Sequence, residues 1–168
     1  MNAGKRDHVF ISYAVEDVAL ADWLARRLAA IGYAVWYDRL KLLGGEDWPK
    51  DIDAAIENRT FRMLALLSRA SLGKPNPTGE RLKGFAVGKN LSIPDFVIPL
   101  NVEGLKPHEI TWNLQPINYI AFTPSWAEGL AAVEKKLVSL QTPRALSDGD
   151  RVATTSFMHA SPLREEPE

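Results

Sequence analysis

Few side chains in this sequence can carry chemistry, and the commonest arrangements of them are missing. There are three histidines, His8, His108 and His159, and no cysteine. The histidines are too far apart for the short spacings of a metal site, so each reads as a structural or solvated ring. Without cysteine there is no thiol nucleophile, no disulfide scaffold and no Cys-bearing zinc finger. Gly73-Lys74-Pro75 lacks the Gly-Lys-Ser/Thr of a phosphate loop, and its proline has no amide to offer an anion. Neither a Gly-x-Ser-x-Gly elbow nor a Gly-x-Gly-x-x-Gly turn is present, against a serine hydrolase and an ordinary Rossmann dinucleotide unit. What remains are hydroxyls and carboxylates placed just after strand-like runs: Ser12 with Tyr13, Asp38, and Ser68. Asp38 suits either a site residue or a turn former. Trp48 suits either a pocket wall or the core.

The elements that must position these residues alternate along the chain. His8 to Ser12 is a short apolar run of the kind a buried strand needs. A helix follows from about Glu16 to Ile31, with Leu20, Leu24, Leu28 and Ile31 on one face and Gly32 as the stop. Tyr33 to Tyr37 reads as a second strand. A loop holding Gly44 and Gly45 leads to a helix that aligns Trp48, Ile52 and Ile56, with Pro49 suited to its first turn. Phe61 to Leu67 is a third strand. Gly73 to Gly79 reads as a loop on turn chemistry, and Glu80 to Lys89 as a helix. Phe96 to Leu100 is a fourth strand whose Pro99 points to an edge or a strand end. A looser stretch, with a short helix around Glu109 to Leu114, precedes a fifth strand at Ile117 to Phe122. The last helix starts near Ser125, an N-cap, and lines up Trp126, Leu130, Val133, Leu137 and Leu140. Five strands interleaved with helices predict an α/β, flavodoxin-like fold: a five-stranded, mostly parallel sheet with helices on both faces. In such sheets ligands sit beyond the carboxyl ends of the strands, where Ser12, Tyr37 and Ser68 fall. A phosphoacceptor receiver shares this plan but needs acidic residues where Ser12, Tyr13 and Ser68 stand.

Composition sets the outer limits. The chain has 168 residues, 46% hydrophobic, with 20 basic against 21 acidic side chains. That length suits one domain with a real core and a short tail. Near-zero net charge excludes nucleic-acid binding by charge alone. No apolar run approaches the roughly 20 residues that span a bilayer, so the expectation is a soluble cytoplasmic protein with no direct nucleic-acid or membrane contact. Residues 1–141 form the expected domain, and 142–168, ending Arg164-Glu-Glu-Pro-Glu168, the expected linker or disordered tail.

His8-Val-Phe-Ile-Ser-Tyr-Ala-Val-Glu-Asp17 resembles the opening box of Toll/interleukin-1 receptor (TIR) domains. Gly32-Tyr-Ala-Val-Trp-Tyr-Asp38, Gly45-Glu-Asp-Trp48, Met63 to Ser68 and Phe96 to Leu100 fit the same family in order and spacing, over about Asp7 to Leu140. Leu82 to Val87, Phe96 to Leu100 and Phe122 to Leu130 together look like the TIR part of TIR-APAZ proteins, partners of short prokaryotic Argonautes in bacterial defence. That narrower resemblance implies a missing APAZ region after the tail, docking on an Argonaute. The family further implies cleavage of NAD+ or NADP+, as substrate and with no separate cofactor or metal, at the nicotinamide–ribose bond. Self-association through TIR–TIR contacts would be the switch. It implies that Ser12 and Tyr13 sit at the mouth after the first strand. Asp38 and the loop Leu42 to Trp48, with Gly45, would flank the dinucleotide, and Ser68 would lie under the ribose.

One carboxylate beside an oxocarbenium-like ribose is the essential chemistry, since nicotinamide already leaves well. The family's glutamate lies in the helix after the third strand, in a Leu-Lys-Glu-Leu-like segment. Here that segment is Leu82-Lys83-Gly84-Phe85, so the resemblance puts Gly84 at the glutamate position and implies an inactive or weakened module. Glu80, one turn earlier on the same face, is a weak substitute, because misplacement by about 1 Å costs on the order of 100-fold in rate. Close packing together with Gly88 is the structural alternative for the glycine. The other functional reading is a non-catalytic TIR adaptor acting only by assembly, and a nucleoside deoxyribosyltransferase-like fold ranks last.

Overall fold

The computed structural model describes residues 6–37, 52–110 and 118–145. Five short apolar runs become strands: β1 (His8–Ser12), β2 (Ala34–Trp36), β3 (Thr60–Leu67), β4 (Val97–Asn101) and β5 (Ile120–Ala121). They form one sheet in the order β2–β1–β3–β4–β5, and every pairing is parallel. Parallel strands need crossovers, and helices supply them on both faces. α1 (Val18–Ala30) and α5 (Trp126–Ser139) cover one face. α2 (Ile52–Asn58) and α4 (Pro75–Asn90) cover the other.

The period of two along each strand divides the core between these faces. Val9 and Ile11, Leu64 and Leu66, Ile98 and Leu100 turn to α1 and α5. Phe10, Met63, Ala65 and Val97 turn to Ile56 of α2 and Val87 of α4. The expected helix stripes form as read: Leu20, Leu24, Leu28, Val133 and Leu137 are buried, while Ile31, Trp126, Leu130 and Leu140 pack partly buried against them. Gly32, at φ +108°, ends α1 as expected, and Ser125 caps α5 by accepting from the Glu128 amide at 3.2 Å.

Three stretches depart from the sequence reading. The expected loop over 73–79 is mostly helix. α3 (Arg69–Gly73) closes one short turn, and α4 begins at Pro75. Pro75 and Pro77 lie in the first turn of α4, where amides have no intrahelical acceptor, so prolines fit there as well as in a turn. Pro99 sits inside β4, with its strand paired on both sides. β5 pairs only with Leu100 and Asn101, so on that side the ladder does not reach Pro99. The short helix expected near Glu109 is a 3-10 turn at Pro107–Glu109, and the rest of that prediction, 111–114, lies outside the described residues.

The packed unit runs past residue 141. Thr142 is buried and its hydroxyl donates to the Leu137 carbonyl at 2.8 Å, and the Arg144 guanidinium lies over the Tyr33 ring. The predicted tail beyond 145 lies outside the described residues, as do the predicted turn at Gly44 and Gly45 and the helix start at Trp48 and Pro49.

Candidate functional site

β1 and β3 are neighbours, and their carboxyl ends deliver two serines to the same end of the sheet. Ser12, in step with Phe10, faces the α2 and α4 side. Its hydroxyl donates to Glu80 Oε1 at 2.6 Å. Ser68 follows Leu67 in extended conformation, in step with Leu64 and Leu66, so it faces the α1 side. Its hydroxyl donates to Asp17 Oδ2 at 2.5 Å. The pairs are crossed: the serine that ends β1 holds the carboxylate that follows β3, and the serine that ends β3 holds the carboxylate that follows β1. One alternation rule along the strands assigns each serine its partner.

The two carboxyls are similarly perturbed. Burial raises the Glu80 carboxyl above its ordinary range. The Ser12 bond and Arg81 oppose that rise, and Asp53 adds to it. Burial likewise raises Asp17. The Ser68 bond opposes the rise, while Glu103 and Glu16 add to it. Burial disfavours the charged form of both carboxyls, and each hydroxyl donor partly offsets that cost. Around this end of the sheet, Lys74 pairs with Glu16 at 2.7 Å and Arg69 with Glu103 and Glu109. These exposed pairs contribute little stability. Among the described residues, no three His, Asp or Glu side chains converge where a metal ion would sit.

A family comparison meets this sheet and these strand ends directly. The family model for the TIR domain matches residues 9–137, from the first residues of β1 almost to the end of α5. The chain belongs to the TIR domain family. Over 143 residues it is also 32% identical to an uncharacterised protein, y4cD, of Sinorhizobium fredii (strain NBRC 101917 / NGR234). That match takes in 84% of this chain and 22% of the relative, so the chain spans less than a quarter of that protein's length.

Within this TIR domain the expected site residues other than Gly84 fall into four groups. Ser12 and Glu80 come together. Ser68 is fully buried and its hydroxyl is engaged twice, donating to Asp17 and accepting from the Ser71 amide at 3.1 Å. A hydroxyl so enclosed belongs to the framework, and the expected contact with a ribose does not fit it. Tyr13 packs against the α1-side core, on the opposite face from Glu80. Asp38, Leu42, Gly45 and Trp48 lie outside the described residues. Tyr37, the last described residue before them, donates its hydroxyl to Asp22 of α1 at 2.6 Å.

The expectation for Gly84 needs correction. A Cβ at this position would lie 2.8 Å from Val97 Cγ2 and 3.1 Å from Met63 Cε and Sδ. Position 84 therefore abuts the middle of the sheet. Met63 lies two residues before Ala65, the register partner of Ser12, which is roughly 6–7 Å short of the serine along the strand. A carboxylate at 84 would enter an apolar seam instead of the crevice at the strand ends. The glycine serves close packing, and so does Gly88, where a Cβ would lie 2.9 Å from the Phe96 Cβ. On the α2 and α4 side, the carboxylate that meets the strand ends is Glu80.

Two members of the site were missed in the sequence, Asp17 and Arg81. Asp17 was legible through strand parity, since Ser68 must face the side on which α1 begins. Arg81 carries a weaker signal: it shares the buried stripe Pro77, Arg81, Gly84 and Val87 of α4, where an arginine is out of place unless something needs its charge.

Proposed function

We propose that this TIR domain cleaves NAD+ or NADP+ at the nicotinamide–ribose bond, with Glu80 as the catalytic carboxylate. The observation that carries this reading is the Ser12–Glu80 contact at 2.6 Å, which fixes one partly buried carboxylate at the carboxyl ends of two adjacent parallel strands. In such a sheet this is where a nucleotide lies. As the C–N bond breaks, its electron pair leaves with the now neutral nicotinamide, and the ribose gains oxocarbenium character. Glu80 in its charged form stabilises that cation, while the Ser12 hydroxyl holds the carboxylate in one orientation. Water then adds to the anomeric carbon and releases a proton, giving ADP-ribose, nicotinamide and H+ from NAD+ and water. No general acid is required.

Self-association is the proposed switch, completing the crevice with a neighbouring protomer. A place in an Argonaute-linked defence system, through an APAZ region beyond a 142–168 linker, is part of the same proposal. It rests on the likeness of Leu82 to Val87, Phe96 to Leu100 and Phe122 to Leu130 to TIR-APAZ proteins. The test is nicotinamide release from NAD+ by the full chain at rising protein concentration, beside Glu80→Gln. Release that grows with assembly and falls about 100-fold or more in the variant is expected. Assembly with no release at any concentration would reject the reading in favour of a non-catalytic adaptor.

A further inference from the structure

Arg81 is buried, 4% exposed, one residue from Glu80 but about 100° around the helix from it. Its guanidinium donates to the Ser71 carbonyl and to the Thr78 hydroxyl, each at 3.2 Å. The first of these acceptors explains why a cation sits here. In a continuous helix the Ser71 carbonyl would receive the amide of residue 75, but that residue is Pro75 and has no N–H. The break between α3 and α4 thus leaves a buried carbonyl without its usual donor, and an arginine in the second turn of α4 supplies it. Ser71 is in turn fixed to the end of β3 by a reciprocal cap: its amide donates to Ser68 Oγ at 3.1 Å and its hydroxyl accepts from the Ser68 amide at 2.9 Å.

We infer that Arg81 is the positioning residue for Glu80, docking the Glu80 turn of α4 onto the end of β3 through Ser71 so that the carboxylate meets Ser12 on β1. The linkage runs unbroken from one strand end to the other. Asp17 accepts from Ser68, Ser68 caps Ser71, Ser71 accepts from Arg81, and the turn bearing Arg81 presents Glu80 to Ser12. Arg81 acts on Glu80 in a second way, as a nearby cation. Among the described residues, the charged groups bearing on Glu80 are Arg81 on its own helix and Asp53 on α2, and they act in opposite senses, with Arg81 favouring the carboxylate and Asp53 the acid. A lysine keeps the charge but has no planar fork to hold two acceptors at once, so charge and docking are separable.

This inference uses the proposed function only in its activity arm. In the full chain, the Glu80 carboxyl is titrated by carbon-13 NMR in wild type, Arg81→Lys, Arg81→Met and Thr78→Val, with thermal unfolding as a control. Arg81→Met is expected to raise the Glu80 midpoint by about 1 pH unit. Arg81→Lys should raise it less, because the charge remains while the Ser12 contact loosens. In NAD+ cleavage, Arg81→Lys and Thr78→Val should lower kcat by about 10-fold and several-fold, with KM little changed. Wild-type midpoints in both Arg81 variants, or wild-type kcat in Arg81→Lys and Thr78→Val, would overturn the inference. If Arg81→Met does not fold, the lysine and valine variants carry the test. If the wild-type chain cleaves no NAD+, the functional reading fails, and the Glu80 midpoints still decide the role of Arg81.

Discussion

The two serine–carboxylate pairs use the same groups at the same end of the sheet, yet they stand in different surroundings. Asp17 sits at the start of α1 without capping it through its side chain, and its partner Ser68 caps α3, so the Asp17 carboxylate ties the start of one helix to the cap of another. Glu80 lies in the second turn of α4 and caps nothing. Among the described residues its side chain is held by Ser12. A carboxylate whose serine partner caps a helix holds architecture, whereas one held by a strand-end hydroxyl is available for a substrate. The raised pKa is common to both pairs and does not separate them, so the distinction comes from what each partner serine also does.

That contrast is open to attack in order of expected effect. The largest is on turnover: Glu80→Gln should lose about 100-fold or more in nicotinamide release while staying folded, and Asp17→Asn should lose less than about 10-fold and mainly lower the unfolding midpoint. Equal losses in kcat, with both proteins folded, would erase the distinction. Next comes Gly84→Glu, which must insert a side chain against Val97 and Met63. Overpacking of this kind costs about 1–3 kcal/mol, and an unpaired carboxylate in the seam adds to it. Urea unfolding should show the loss, and nicotinamide release should not rise. A gain in activity would return the catalytic carboxylate to position 84.

The smallest effect concerns pH. A carboxyl whose folded-state pKa is raised keeps its proton in the native protein at pH values where the unfolded chain has lost it. Folded stability from that group therefore falls as pH rises from the ordinary carboxylate range through the raised value. Glu80→Gln and Asp17→Asn should each flatten part of that fall. The difference between wild type and variant, followed by urea unfolding from about pH 4 to 8, isolates each group from others such as Glu109, whose pKa is shifted down. A difference that grows in the opposite direction would show that the carboxyl is stabilised as an anion.

Much of this was legible in the residues. Alternating apolar runs and four-residue stripes gave the sheet and its two helical layers, because periodicity reports burial directly. Ser125 and Gly32 marked helix ends, because their chemistry suits few other places. One composition can serve two structures. Pro75, Asn76 and Pro77 suit a turn, and they equally suit the first turn of a helix, so α4 was begun five residues late. The resemblance of Leu82-Lys83-Gly84-Phe85 to a Leu-Lys-Glu-Leu segment points to position 84, whereas the helix face turns that position to Val97 and Met63. Positions 80 and 84 lie one turn apart on one side, and only the depth of the apolar contact tells which of them reaches the strand ends. That depth depends on Val97 and Met63, which are distant in sequence.

The thin seam beneath Gly84 and Gly88 has a bearing on charge as well as on packing. Because α4 is one continuous helix, its height above Met63, Val97 and Phe96 sets the gap that the Glu80 side chain must bridge to Ser12. One added methyl at either glycine would tilt the helix outward and lengthen a polar contact a turn or two away, with no polar atom altered. The absence of two side chains is thus part of how this protein aims its acid.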